Sequence, residues 1–454
     1  MINALTIESM AYLGAGITHT PAGKVLFVDG AVVGDVIKPL EVVSQPRQER
    51  CLSFELLEAS PLRIDARCPY AESCGACPWQ VMAYETQLAW KRRFVVDALE
   101  RIGRIADSEA LVGECVASPQ EWHYRNKVEF DTFVQDDKIC LGLHEKGSQE
   151  QVAIDQCLLL PETLTQLPVH LTGALVYSLG SAQRNLVRLA LRHSLTTAST
   201  ELALFMRPSG VNRSLLVKTL NSKSQFSSLV RPITDSEMVE RKVKKLELLA
   251  GAGYWQEKLA DHRYKISAPS FFQVNSAIAT SMIESLGTLI AGLDLPASAV
   301  VADLYSGAGT FTLPLAQRFA QVFAIESYGY SIRDLKRNTE EAGLADKVQA
   351  IGGDVARELA AIDQPRLALI DPPRSGLRPE ARKALLNKGI EYLVYVSCNP
   401  TTLARDLEVL ATDYELLSVT PFDQFPQSYH VEIMSLLKLR RRISKSLRIN
   451  RKTS

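Results

Sequence analysis

From about residue 298 the chain predicts a doubly wound α/β sheet, and three observations carry that expectation. Short apolar runs alternate with amphipathic stretches such as YSIRDLKRNTEEAG and PEARKALLNKG. The runs AVVADLY, QVFAIES, KVQAIGGD, RLALIDPP and EYLVYVSCNP each end in a polar or glycine-bearing loop. A late pair, YELLSVTPFD and HVEIMSLLKL, is placed to add final antiparallel strands. Alternation of this kind gives parallel strands joined by crossover helices, the Rossmann-like arrangement, and such sheets bind ligands at the carboxyl ends of their strands.

The 454 residues are too many for one core, and at roughly 150 residues per domain the length predicts about three. We divide the chain at 1–62, 63–270, 271–440 and a basic end, 441–454. Residues 4 to 60 read as short strands (LTIESMAYL, GKVLFVDG, VVGDVIKPLEVV, CLSFELLE) punctuated by glycine, with no helical period. That pattern suits a small β-barrel of the oligonucleotide-binding kind, or a β-module that serves only packing. The next segment opens with CPYAESCGAC, three cysteines in ten residues, followed by a helical stretch with a basic ridge, Lys91-Arg92-Arg93. Residues 120 to 265 mix short strands with polar connectors and show no repeat. The tail from Lys438 is basic and reads either as a solvated end or as a nucleic-acid contact.

Composition narrows the class. A hydrophobic fraction of 46% and a charged fraction of 22% are those of a soluble globular protein. With 51 basic and 51 acidic residues the net charge is zero, so any nucleic-acid surface must be local. MINALTIESM lacks the basic and apolar regions of a signal peptide. No run approaches the roughly 20 apolar residues that span a bilayer. We therefore expect a cytoplasmic protein without membrane contact, where clustered cysteines are metal ligands or redox thiols.

ADLYSGAGTFTLPLA, residues 302–316, is the strongest local motif. Asp303 ends the first strand, and Gly307 and Gly309 let the backbone turn tightly against a ligand. A dinucleotide fingerprint would need glycine at 312, where Thr312 stands. S-adenosylmethionine makes no such demand. Glu326 ends the second strand, where a carboxylate can accept both ribose hydroxyls, and Asp354 ends the third, within reach of an adenine amino group. A tight turn without a ligand is the alternative.

IDPPRSGL places Asp371 at the end of the fourth strand, in a loop held by two prolines. Arg374 follows them, where exocyclic-amine methyltransferases place a stacking aromatic, and this argues against amine methylation. VSCNP puts Cys398 at the tip of the fifth strand, either as a buried structural thiol or as a nucleophile. A thiolate added to C6 of uracil makes C5 enolate-like, able to take a methyl group, after which a base removes the C5 proton. Glu432 in SYHVEIM is a carboxylate in an apolar strand, either that base or a solvent-facing edge residue. EWHYRNKVEF interleaves Trp122, His123 and Tyr124 with Arg125 and Lys127, as for stacking bases and holding phosphates, or as an amphipathic strand.

Taken in order, the three-cysteine run, SFFQVN, DLYSGAGTF, IDPPRSGL, VSCNPTTLARDL and HVE resemble the RNA 5-methyluridine methyltransferases of the TrmA/RumA group over nearly the whole chain. The resemblance implies a class I methyltransferase domain with Cys398 as nucleophile and Glu432 as the base for the C5 proton. It implies S-adenosylmethionine contacts at Gln273, Tyr305, Glu326, Asp354 and Asp371, whereas Thr310 replaces the family's asparagine and is left unassigned. The first sixty residues resemble a TRAM domain, carried by the ribosomal-RNA branch and absent from the tRNA enzymes. That branch binds a [4Fe-4S] cluster, which implies Cys68, Cys74, Cys77 and, in IDQCLLLP, Cys157 as ligands. By chemistry alone four thiolates would equally take zinc. The implied protein is a monomer that flips a uridine of 23S rRNA out of its stack, with tRNA as the alternative substrate and an inactive iron–sulfur RNA-binding protein as the alternative class.

Overall fold

The alternation after residue 298 builds a seven-stranded sheet. The computed structural model describes residues 4–44, 46, 48–234 and 243–440, and the basic end at 441–454 lies outside the described residues. We number the strands of this sheet β1 (Val300–Leu304), β2 (Gln321–Glu326), β3 (Val348–Gly352), β4 (Leu367–Ile370), β5 (Tyr392–Ser397), β6 (Tyr414–Phe422) and β7 (Glu432–Leu439). Their order is β3-β2-β1-β4-β5-β7-β6, with β1 to β5 parallel and β7 antiparallel to both its neighbours. The order reverses between β1 and β4, so the crevice at their carboxyl ends is the ligand position for such a sheet. β7 is therefore interior, not an edge, and Glu432 at its start is buried.

Apolar side chains cover both faces. The helix Ser276–Ala291 and the hairpin of Trp255–Leu259 and His262–Ile266 pack on one face. On the other lie Val95, Val96 and Leu99 of the helix Tyr84–Arg101, with Leu403 and Leu407 of Pro400–Leu410. Val112 and Val116 bridge to Val419 and Phe422 of β6. Two stretches of the 63–270 segment thus fold onto the C-terminal sheet.

The rest of that segment forms its own seven-stranded sheet, in the order Lys245–Gly251, Ser228–Ile233, Thr200–Met206, Leu186–His193, Lys127–Gln135, Lys138–His144, Gln151–Ala153. The leucine-rich helix Leu167–Leu179 covers it, in a core that also holds Cys74, Cys77 and Cys157.

Residues 5–58 form a six-stranded sheet around Ile7, Leu26, Val28, Ile37 and Cys51. Leu5–Thr6 pairs with one edge (Val36–Ile37) and Ser9–Met10 with the other (Gly16–Ile17). One short stretch thus spans both edges and curls the sheet around its core, as a barrel requires.

Candidate active site

β1 ends in a turn that only a special backbone can make. Tyr305 takes φ +65°, and Gly307 and Gly309 follow at +56° and +97°. A Cβ at Gly309 would sit 2.8 Å from Leu335 Cδ1, so the neighbouring side chains close directly on the loop. Thr312, the residue that broke the dinucleotide pattern, donates its hydroxyl to Asp303 Oδ2. Asp303 Oδ1 is buried and has no hydrogen-bond partner among the described residues. Glu326 is held by two backbone donors, Gly307 N at 3.0 Å and Tyr328 N at 2.6 Å.

These acids repel one another away from water. Burial, and then the Glu326 charge, pushes Asp303 up to about 7. Burial, Asp303 and Glu326 push Asp371 up to about 7. An orphaned buried carboxylate oxygen among acids that resist ionisation is a site for a cation, and the positive sulfonium of S-adenosylmethionine fits that chemistry.

The other expected cofactor contacts divide. Gln273 is buried; its Oε1 accepts from Gln424 at 2.9 Å and its backbone oxygen from Asn126 at 2.9 Å. Asp354 Oδ1 caps the helix Val355–Ala361, taking Ala356 N at 3.0 Å, and Oδ2 is 3.9 Å from Arg378. Half of that carboxylate is thus already occupied by the protein.

Cys398 follows β5 directly, and Asn399 then caps the helix Pro400–Leu410 by accepting from Thr401 N at 3.0 Å. Ser397 pairs with Ile433, so the antiparallel register sets Cys398 opposite Glu432. Burial first, then the Glu432 and Asp371 carboxylates, push the Cys398 thiol up to about 12, while Arg374 pulls it down. Burial and the Asp371 charge hold Glu432 well above the usual carboxylate range. Arg374 Nη2 donates to His430 Nδ1 at 2.9 Å. Burial and the cations Arg374, Arg125 and Lys91 drive His430 down to about 3, which keeps it neutral and able to accept.

The segment before Glu432 is heavily tied. Lys91 is wholly buried, paired with Asp423 and donating to Phe425 O at 3.1 Å. Gln87 Nε2 donates to Gln427 Oε1 at 3.0 Å, Trp79 N to Gln427 O at 3.0 Å and Tyr124 Oη to Pro426 O at 3.2 Å. The basic ridge of the sequence is consequently not a free surface, since Arg92 pairs with Glu109 and Arg93 with Asp97. Partnerships across more than 300 positions leave no local mark, so the sequence shows Lys91 only as part of a basic ridge and gives no sign of its partner Asp423. Arg374 and His430 both stand in quoted motifs, IDPPRSGL and HVE, but their pairing does not show there.

Cys74, Cys77 and Cys157 share one buried core, and Cys68 lies near enough to raise Cys74 and Cys77. Burial and then Cys157, with Arg125 opposing and Cys74 and Cys68 adding, raise the Cys77 thiol. Burial raises Cys157 to about 11. Among the described residues no group of three or more His, Cys, Asp and Glu side chains converges on a single metal-ion position. The chemistry of four cysteine thiols, three of them buried, is that of a site for a thiolate-bound metal group.

Of the aromatic–basic stretch, Trp122 and His123 line a groove of about 760 Å³ together with Arg67, Tyr84, Gln120 and Leu195. The Arg67 guanidinium lies 5.9 Å from the Trp122 ring centroid. Tyr124 instead points inward, Lys127 pairs with Glu129 and Arg125 lies over Phe425. Two of the five residues expected to meet RNA thus line this groove.

The model of the tRNA (uracil-5-)-methyltransferase family matches residues 83–361 and 364–440. An uncharacterized RNA methyltransferase of Gloeobacter violaceus is 33% identical over 446 residues, covering 95% of each chain. Another, from Chlorobaculum tepidum, is 32% identical over 453 residues, covering 91% of this chain and 92% of that one. The crystal structure of the Pyrococcus abyssi tRNA (uracil-54, C5)-methyltransferase with S-adenosyl-L-homocysteine superposes with a TM-score of 0.76 at 23% identity, over 96% of this chain and all of that one. Such coverage takes in most of the N-terminal barrel.

Proposed function

Since the chain belongs to the tRNA (uracil-5-)-methyltransferase family, we propose that it methylates C5 of a uridine in 23S rRNA through a covalent adduct of Cys398. The register that sets Cys398 opposite Glu432, at the mouth of the acid-lined crevice, carries this reading. S-adenosylmethionine, when bound, supplies the methyl group and a positive charge. Asp303, Glu326 and Asp371 receive that charge, and Glu326 and Tyr305 hold the adenosine end, with Gln273 and Asp354 as further contacts.

A sulfonium beside Asp371 offsets the negative charge that raises both Cys398 and Glu432, which eases ionisation of the thiol and of the carboxyl that must take the proton. The Cys398 thiol loses its proton to solvent as it attacks C6, and the electron pair of the C5–C6 bond moves toward the C4 oxygen. C5 then takes the methyl group, Glu432 accepts the C5 proton, and the Cys398 sulfur leaves as the double bond reforms. One proton is released per methyl group transferred.

Methyl transfer from labelled S-adenosylmethionine to 23S rRNA and tRNA transcripts, with the modified site mapped, tests the reaction and the substrate. Label in rRNA that vanishes with Cys398→Ala is expected. Activity in the Cys398→Ala protein would refute the adduct, and label confined to tRNA would replace the substrate by the one the Pyrococcus enzyme's name carries.

For the thiol group, Cys68, Cys74, Cys77 and Cys157 are proposed to hold a [4Fe-4S] cluster. Zinc would draw four sulfurs to within about 2.3 Å of one point, whereas a cluster binds one thiolate per iron and holds them further apart. Its role in this fold is to tie residues 68–77 to the loop of Cys157. Zinc without iron or sulfide in anaerobically purified protein would contradict this assignment.

A further inference from the structure

The N-terminal barrel reaches the catalytic crevice through one tight turn. Ala11 N donates to Ala15 O at 2.8 Å and Gly14 N to Ala11 O at 3.0 Å, with Leu13 at φ +87° and Gly14 at φ +94°. Trp79 Nε1 donates to Gly14 O at 3.1 Å, and a Cβ at Gly14 would lie 2.6 Å from Tyr429 Cδ1. The turn is thus pressed against the segment that ends in His430 and Glu432.

Tyr12 is the side chain this turn delivers. Its ring meets Phe94 at 5.7 Å and Tyr429 at 6.1 Å, both edge-on. Its hydroxyl is buried, with the Arg374 guanidinium close enough to act on it by charge and as a donor, and with Cys398 and Tyr429 also facing it; nothing among the described residues accepts its proton. Burial pushes the phenol up to about 12, so it stays a neutral donor. An O–H group held away from water without an acceptor is free to donate to a bound oxygen.

We propose that Tyr12 is a substrate-binding residue, whose hydroxyl donates a hydrogen bond to the C4 oxygen of the target uracil beside Cys398. The inference rests on the covalent reading above. As the Cys398–C6 bond forms, negative charge moves to that oxygen, and a preorganised donor there lowers the barrier. Arg374, fixed by His430, sits beside Tyr12 and supplies positive charge to the same region. The barrel would then be part of the reaction centre as well as a docking module for RNA.

Tyr12→Phe keeps the ring packing and deletes only the donor. On the transcript that the wild-type protein methylates, kcat is expected to fall about 10- to 100-fold with KM for RNA nearly unchanged. Covalent capture of the same RNA carrying 5-fluorouridine should slow by a similar factor. Wild-type kcat and capture rate, or a loss confined to KM, would overturn the proposal. Cys398→Ala is the separate control: capture that survives it defeats the nucleophile assignment, whereas a dead Cys398→Ala beside an unaffected Tyr12→Phe defeats only the role of Tyr12.

Discussion

At the scale of residues the crevice poses an electrostatic problem that its ligands resolve. Cys398 at about 12 is almost wholly protonated at neutral pH, so the free protein holds a quiet thiol. Asp303 and Asp371, raised to about 7 by burial and mutual repulsion, stand above their unfolded values and cost stability as pH rises from about 4 through about 7. A cation in the crevice favours their ionised forms, so binding must release protons. S-adenosylmethionine affinity should therefore rise from about pH 6 to about pH 8 and then level, whereas S-adenosylhomocysteine, lacking the sulfonium charge, should show a weaker slope. Titration calorimetry in buffers of different ionisation enthalpy measures the protons directly, and equal slopes for the two ligands would contradict the acid cluster's role. Glu432→Gln tests the later step. It should still accept the methyl group but lose turnover by about 10²–10⁴-fold. A denaturant-resistant protein–RNA adduct should accumulate on gels, and free methylated product without adduct would contradict Glu432 as the base.

At the scale of elements, the helix Tyr84–Arg101 and the 423–430 segment form one unit around Lys91 and Asp423. Lys91→Met would leave the buried Asp423 carboxylate unpaired, at a cost of about 3–5 kcal/mol in urea unfolding. Replacing both partners with apolar residues should recover much of that loss, and a single-variant cost under about 1 kcal/mol would contradict a structural role for the pair. This unit also marks how far the sequence could be read. The five parallel strands and the late antiparallel pair were visible as apolar runs, because period and turn residues are local signals. Their order was not, since insertion of β7 between β5 and β6 depends on pairing across the sheet. That insertion turned Glu432 from a possible edge residue into a buried one. The second sheet escaped notice as a sheet because its strands are separated by helices and long polar connectors. The inward turn of Tyr124 and the pairing of Lys127 were equally invisible, as both depend on neighbours distant in the chain.

At the scale of the whole molecule, three folded parts converge on one crevice. The C-terminal sheet brings the acids, Cys398 and Glu432; the segment after the cysteine run braces the 423–430 stretch; the barrel delivers Tyr12. The family model matches from residue 83, so the barrel and the three-cysteine run lie outside that match. Trp79, two residues beyond Cys77, bonds both Gly14 of the barrel and Gln427 beside the crevice. The cysteine run therefore stands beside the place where the barrel meets the 423–430 stretch. The test closest to the chemistry is to incubate the protein with substrate RNA carrying 5-fluorouridine and S-adenosylmethionine, digest the trapped complex and locate the modified peptide by mass spectrometry. A nucleotide bonded to Cys398, in the peptide containing VSCNP, is the expected result. A nucleotide on any other residue, or no covalent complex from a protein that methylates the unmodified RNA, would contradict it.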